Sequence, residues 1–502
     1  MKTLYLVWTG FFLFTISFGQ TNVSGGIYAD ITWTQAGSPY IVVDTIVVFP
    51  GVTLTIEPGV TVKFEDGKYM EIRQGSFIAQ GTAADSITIT SNSASPTIGI
   101  YEGIRFTNPS AMAFDYCNFK YAEMPIQYCC LTIPSIYIQH SYFYKNTNCI
   151  GVNNSIIAIT DSKFEYNTAC ILYSSSLITV QRSQFNNNTN CFGDVNNEWI
   201  GHLELDSCTF IQNIIAGHID SYCRITNCTI YDNMYGFKME SFGGGFTRTV
   251  KDCIFCNNQW GILSQYSQNN THDTLMNCMF SNNSLASTFQ VAYMTNNIFS
   301  DNLTALDCNI RPTDLIFNNY IFHNHTGIIY HGGATSTFSN NYICNNSPYN
   351  INYASSLNGS IPPICYCEND SLTIRSKIYD GYIDITRGLL SFTPYINCDS
   401  SAIAALSPII CPSVPLAIEE TSPLTNTGFE VYPNPSEGSF TINTSFQNEN
   451  FSLQIFNTTG KLVYKTAFSG KRREINELLL PGIYFIRVSS DKNQFVKKLA
   501  IQ

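Results

Sequence analysis

Cys208-Thr209-Phe210-Ile211-Gln212-Asn213, Cys228-Thr229-Ile230-Tyr231-Asp232-Asn233, Cys253-Ile254-Phe255-Cys256-Asn257-Asn258, Cys278-Met279-Phe280-Ser281-Asn282-Asn283 and Asn297-Ile298-Phe299-Ser300-Asp301-Asn302 are five copies of one phrase. With the Phe or Ile as anchor, the register extends back through Phe185, Phe164, Phe143 and Phe119, and forward to Ile321 and Ile343. The spacing averages about 22 residues, a period proper to stacked repeat architectures. Five and seven residues before the anchors stand apolar pairs such as Ile136 and Ile138, Ile157 and Ile159, and Leu203 and Leu205. Seven and nine residues after them come Ile150 and Val152, Phe237 and Met239, and Ile328 and Tyr330. Each pair has the two-residue period of a strand with one buried face. A repeat is therefore three short strands around a common interior. The spacing predicts an all-β chain: a parallel β-helix, right-handed by the general crossover preference.

Two columns fix the stack. Three residues after the anchor stands Asn in ten consecutive repeats: Asn146, Asn167, Asn188, Asn213, Asn233, Asn258, Asn283, Asn302, Asn324 and Asn346. Asn tolerates left-handed backbone at a corner, and at the roughly 4.8 Å rung spacing its amides can bond along the column. Three residues further on the position stays small, from Cys149, Cys170 and Cys191 to Gly327, before becoming Tyr349.

Charged residues make up only 13% of the chain and the net charge is −11. No basic face is left to hold phosphates, which argues against a nucleic-acid partner. Lys2, the apolar run from Leu4 to Phe18, and the small residues Ser17 and Gly19 read as a cleavable export signal over 1–19. No other stretch is long enough to span a bilayer. Many of the 18 cysteines sit inside the repeat. Cys117, Cys208, Cys228, Cys253 and Cys278 share one interior column with Ser141, Ser162 and Ser183 and with Asn297, Asn319 and Asn341, and are expected to be stacked free thiols. Cys253 and Cys256 point to opposite faces of one strand, which argues against a redox or zinc pair. Cys365, Cys367, Cys398 and Cys411 lie beyond the repeats, where one or two disulfides are expected.

In chain order, 20–100 is strand-rich and is expected to hold a cap and the first rungs, since a solenoid's first edge needs cover. The stretch Pro50-Gly51-Val52-Thr53-Leu54-Thr55-Ile56-Glu57-Pro58-Gly59-Val60-Thr61-Val62-Lys63-Phe64 resembles the opening rungs of secreted bacterial β-helix proteins of the pectate-lyase-like superfamily. That resemblance implies the same fold and often a carbohydrate ligand. Residues 101–352 form the regular stack and 353–412 the closing rungs. The segment 413–427 reads as a linker. From 428 to 502 the grammar changes to alternating strands with Gly turns, the signature of a small Ig-like β-sandwich. Tyr432-Pro433-Asn434-Pro435, the run Leu453 to Tyr464, Leu480-Pro481-Gly482-Ile483-Tyr484 and the terminal Val496 to Gln502 resemble the type A C-terminal sorting domain of the Bacteroidetes type IX secretion system. The resemblance implies the secretion machinery as partner, and a cargo that is released or attached to the outer-membrane surface.

Chemistry is sought among outward residues eight and ten after the anchor. His218 and Asp220 stand above Lys238 and Glu240. Carboxylates on adjacent rungs would lie about 5 Å apart, near the separation in retaining glycosidases, and mutual repulsion would raise one pKa. Corner loops would rim this patch with Trp199, Phe242, Phe246 and Tyr266 for stacking on sugars. The plainer alternative is a surface charge ladder neutralised by Lys238. Gly243-Gly244-Gly245 lacks a following helix and is no phosphate cradle; no cofactor or metal motif is found. Two readings follow: a non-catalytic surface rod for adhesion or polysaccharide contact, or a polysaccharide lyase or hydrolase using the 218–240 patch.

Overall fold

A computed structural model describes residues 19–129, 135–194, 201–219, 222–240, 247–265, 273–288, 292–310, 314–333, 338–398, 400–406 and 411. Beyond these it describes 429–434, 436, 439–444, 450–457, 462–476, 482–489 and 494–501. The chain divides into two compact units, one ending at Cys411 and one starting at Pro412.

The first unit is a parallel β-solenoid with three strands per turn. One side is a sheet of 14 parallel strands, one per coil, from Ile31–Trp33 to Phe338–Ser339. The other two sides join in the first coils, where Tyr40–Val48 pairs with both Thr61–Phe64 and Tyr69–Arg73. Register follows the repeat: Phe143 pairs with Phe164, Phe164 with Phe185 and Phe185 with Phe210. The anchor rings stack 4.6–4.9 Å apart from Phe119 to Phe210, and Phe255, Phe280 and Phe299 stack likewise beyond Ile230. That separation is the strand spacing itself, so each ring packs on its copy without distorting the ladder.

The Asn column is continuous. Each ladder Nδ2 donates to the Oδ1 of the next Asn at 2.9–3.1 Å, from Asn146 to Asn346 and on to Asn350. The same Oδ1 also accepts the preceding ladder residue's backbone N–H. The second amide hydrogen goes to the anchor carbonyl of the preceding coil, as Asn188 to Phe164 and Asn258 to Ile230. Every amide is thereby satisfied in an interior that excludes water. One expectation is corrected here. The ladder Asn does not take the left-handed conformation; the residue before it does, as at Lys145, Tyr166, Gln212 and His323 with φ of 53–57°. A second left-handed residue lies three before each anchor, as at His140, Arg182 and Asn277. The backbone turns at those positions, which frees the Asn side chain to point inward.

The interior thiols Cys208, Cys228, Cys253 and Cys278 are buried and unbridged. Each donates to the carbonyl two residues earlier at 3.2–3.4 Å. Their column continues as a second amide ladder through Asn297, Asn319 and Asn341. In the first-strand interior, Arg248 and Asp273 follow Cys223 and form an ion pair that is almost wholly buried, 1% and 0% exposed. Burial pushes the Cys223 thiol up to about 12.

The disulfides differ from expectation. Among the described residues three form, and two recruit repeat cysteines: Cys344–Cys367, Cys365–Cys398 and Cys256–Cys411. After the last coil, Cys365 bridges to Tyr342 and Ile396 bridges to Cys365. The chain then turns back over the outside of the second strands. Ile403 is buried against Cys344 and Cys365, and Cys411 reaches Ser281 and Cys256. Where this strap is described, at 400–406 and 411, the outward residues Cys256, Ser281 and Cys344 beside it are buried. At the opposite end, among the described residues, Thr21–Ile27 pairs with Tyr40–Val48, and Ile31–Trp33 with Thr53–Ile56. Among the described residues the first strand of the coil is Thr21–Ile27.

The second unit has two antiparallel sheets. One orders Phe429–Tyr432, Phe440–Thr444 and Arg472–Ile475; the other orders Leu462–Ser469, Asn450–Asn457, Gly482–Ser489 and Gln494–Ile501. Phe440, Ile442, Leu453, Ile455, Ile486 and Val488 form its core.

Candidate functional site

The third-strand patch is only partly described. His218 and Lys238 lie opposite each other in neighbouring coils, and Lys238 faces Leu263 on the far side. Glu240 is in register with Gln265, but its side chain lies outside the described residues. Asp220, Trp199, Phe242, Phe246 and Tyr266 also lie outside them. Within the patch, the described residues bring His218 and Lys238 into register on adjacent coils.

A denser constellation stands on the outer face of the second strands. Tyr142 is in register with Lys163, and Tyr144 with Lys120 and Glu165. Glu165 accepts from Tyr142 at 2.7 Å and from Asn186 at 3.2 Å, and pairs with Lys163 at 2.7 Å. Burial works against its charge, yet the hydrogen bonds from Lys163, Tyr142 and Asn186 outweigh burial and hold the carboxyl below its usual range. Around it, Tyr144 meets Tyr121 and Tyr166 edge-on at 6.0 and 5.9 Å and lies 5.7 Å from Tyr142. Lys145 sits 5.1 Å from the Tyr144 ring. The result is a half-exposed floor of four phenols and fixed charges, with apolar faces for a sugar ring and polar edges for its hydroxyls. It lies on the second strands, apart from the third-strand columns that the sequence pointed to. Its signal was the run of Tyr and Lys one residue either side of the anchor.

A second set occupies the first-strand face. His202 pairs with Glu204 at 3.2 Å and its ring lies flat toward Tyr222 at 6.4 Å, while Glu204 is in register with Arg224. Base, acid and cation candidates thus meet on two coils. At the corner after the second strand, a groove of about 570 Å³ is lined by Asp301, Leu303, His323, His325, Asn345 and Ser347. Among the described residues, metal-ligating atoms converge only at Cys344, Cys365 and Cys367, whose sulfurs are engaged in disulfides.

Residues 430–502 match the family model described as a secretion system C-terminal sorting domain. The second unit is the sorting domain of an exported protein. By that domain the chain leaves through the type IX system and is secreted or attached to the cell surface. No curated protein matches the chain. Among solved structures, an alginate lyase from Paenibacillus sp. str. FPU-7 is similar at 10% identity. The match covers 69% of this chain and 93% of that one, with a TM-score of 0.18. No helix among the described residues is long and apolar enough to cross a membrane.

Proposed function

We propose that the exported solenoid is a non-catalytic rod for adhesion or polysaccharide contact, and that it holds glycan on the floor formed by Tyr121, Tyr142, Tyr144 and Tyr166. The observation that carries this reading is the state of Glu165. A carboxylate with its charge stabilised by Lys163, Tyr142 and Asn186 is poorly suited to donate a proton at neutral pH, but well suited to orient hydroxyl groups. Aromatic rings beside it supply apolar contact at low entropic cost. The test is a glycan panel with purified exported protein and the variants Tyr144→Ala and Lys163→Met. At least tenfold weaker binding is expected, with unchanged circular dichroism. Equal binding by all three proteins would sink the assignment.

A second reading is polysaccharide cleavage, favoured by the His202, Glu204, Tyr222 and Arg224 set. Arg224 would neutralise the carboxylate of an acidic sugar while His202 and Tyr222 remove the proton beside that carboxylate and return one to the glycosidic oxygen, so that the C–O bond breaks as the C=C bond forms. The 218–240 patch, with Asp220 and Glu240, is the other candidate. Chain-length analysis of polysaccharides incubated with wild type, Tyr222→Phe and Asp220→Asn decides between them. Loss of activity in one variant assigns the site, and absence of cleavage by wild type removes this reading.

A further inference from the structure

Four sulfurs at the C-terminal end of the solenoid lie in one place. The Sγ atoms of Cys344, Cys365 and Cys367 are within 4.8 Å of one another, and Cys398 is bonded to Cys365. The disulfides Cys344–Cys367 and Cys365–Cys398 divide the set. Yet Cys365 and Cys367, which are not partners, have sulfurs only 3.9 Å apart. A zinc-class ion holds four thiolates at about 2.3 Å, which puts the corners of the tetrahedron about 3.8 Å from each other. The unbonded pair already stands at that spacing. The backbone serves the same arrangement: Cys367 takes a left-handed φ of 57°, uncommon for a residue other than Gly, Asn or Asp. Tyr366 packs into the solenoid core, while the cysteines on either side of it belong to a small apolar cluster with Ile403, Ile396, Tyr320, Phe322 and Tyr342. The group holds sulfur donors alone, which selects a soft or borderline ion such as zinc over calcium or magnesium. Among the described residues the stacked interior thiols form no comparable group.

We propose that Cys344, Cys365, Cys367 and Cys398, while still thiols, bind one zinc-class divalent cation, so that this end of the solenoid has two alternative closures. A chain is synthesised with its cysteines reduced, and the thiol state therefore precedes the disulfides. Binding of the cation turns four thiols into four thiolates and releases four protons. It ties the last coil, at Cys344, to the closing segment and to the start of the strap. Oxidation then displaces it. Two molecules of a disulfide oxidant take two electrons and two protons each and become thiols, the four thiolates join as two disulfides, and the cation leaves to water. A sulfur committed to a disulfide no longer carries the thiolate charge, so the two closures exclude each other.

The exported protein is reduced with a phosphine under nitrogen and titrated with cobalt(II), then with zinc. Reduced wild type is expected to take up cobalt with a sulfur-to-metal charge-transfer band, which zinc abolishes. Zinc is also expected to protect Cys344, Cys365, Cys367 and Cys398 from alkylation, as mapped by mass spectrometry. Cys367→Ser and Cys398→Ser are expected to lose the band, and Cys411→Ser to keep it. Reduced wild type without the band overturns the proposal. So does a band that survives in the double variant Cys367→Ser, Cys398→Ser, or one equally strong in the oxidised protein, since either would assign the metal elsewhere. Should reduction open this end of the solenoid, proteolysis between 353 and 398 decides: zinc is expected to restore resistance to reduced wild type but not to Cys398→Ser, and no restoration in wild type overturns the idea.

Discussion

Asn233 shows what a single ladder amide does. Its Oδ1 accepts both the backbone and the side-chain N–H of Asn213, and its own amide donates to Asn258 and to the Phe210 carbonyl. Asn233→Ala strands several buried groups at once, at about 1–3 kcal/mol for each group left unpaired. Urea unfolding is expected to show a loss of at least about 2 kcal/mol, and a smaller loss would mean that water enters the gap. Glu165 gives a prediction in pH. Its carboxyl is held below the usual range in the folded chain, so its contribution is present in full above the ordinary carboxylate pKa and is lost as pH falls through the depressed one. Wild type is therefore expected to exceed Glu165→Gln in stability at pH 7, with the gap closing in acid, as thermal melts along a pH series would show. The Asn column was legible because burial imposes the same residue at the same offset in ten coils. The turning residue beside it was less so: Asn187, Asp232, Asn257, Asn282, Asp301 and Asn345 suit a left-handed corner, but Lys145, Tyr166, Gln212 and His323 take the same backbone angle without that chemistry. Tyr144 and Glu165 escaped for a related reason: they meet only across coils, and outward columns carry no repeat to reveal them.

The strap is held by cysteines that the repeat register explains only in part. That Cys253 and Cys256 face opposite ways followed from strand alternation, and the two do so: one thiol is interior and free, the other is outward and bonded to Cys411. The partner of Cys256 was illegible, because it stands 155 residues downstream in a segment with no repeat of its own. Chain-entropy reasoning puts a closure of that length at roughly 4–5 kcal/mol. Cys411→Ser is expected to lose less than this in global stability, because Cys365–Cys398 still holds the start of the strap. The main effect should instead be faster proteolysis between 399 and 411, read by mass spectrometry of the fragments. Packing between coils offers a sharper test at Gly261. A Cβ there would lie 2.4 Å from the Ala286 carbonyl oxygen, a backbone atom that cannot rotate away. Gly261→Ala is expected to cost about 1–3 kcal/mol in urea, although Ala216 and Ala286 occupy the same column elsewhere.

At the scale of the whole chain, the two units have separate cores and meet in sequence between Cys411 and Pro412. Calorimetry of the full chain is expected to show two transitions, and removal of 412–502 to abolish one while leaving the other in place. A single transition lost as a whole would show that the solenoid depends on its sorting domain. The sorting domain was readable because the sequence changes from an Asn-anchored period to antiparallel strand pairs with Gly turns. What the rod touches was less so, since a solenoid spends its regularity on the interior and leaves its exterior free to vary. The bond at Cys256 also decides how the molecule bears load. A pull on the chain downstream of Cys411 meets a sulfur–sulfur link on the flank, several coils in from the end, before it can reach the last turns. Tension then enters the stack sideways and spreads over many strands in shear, where a tether at the tip would peel the coils away one by one.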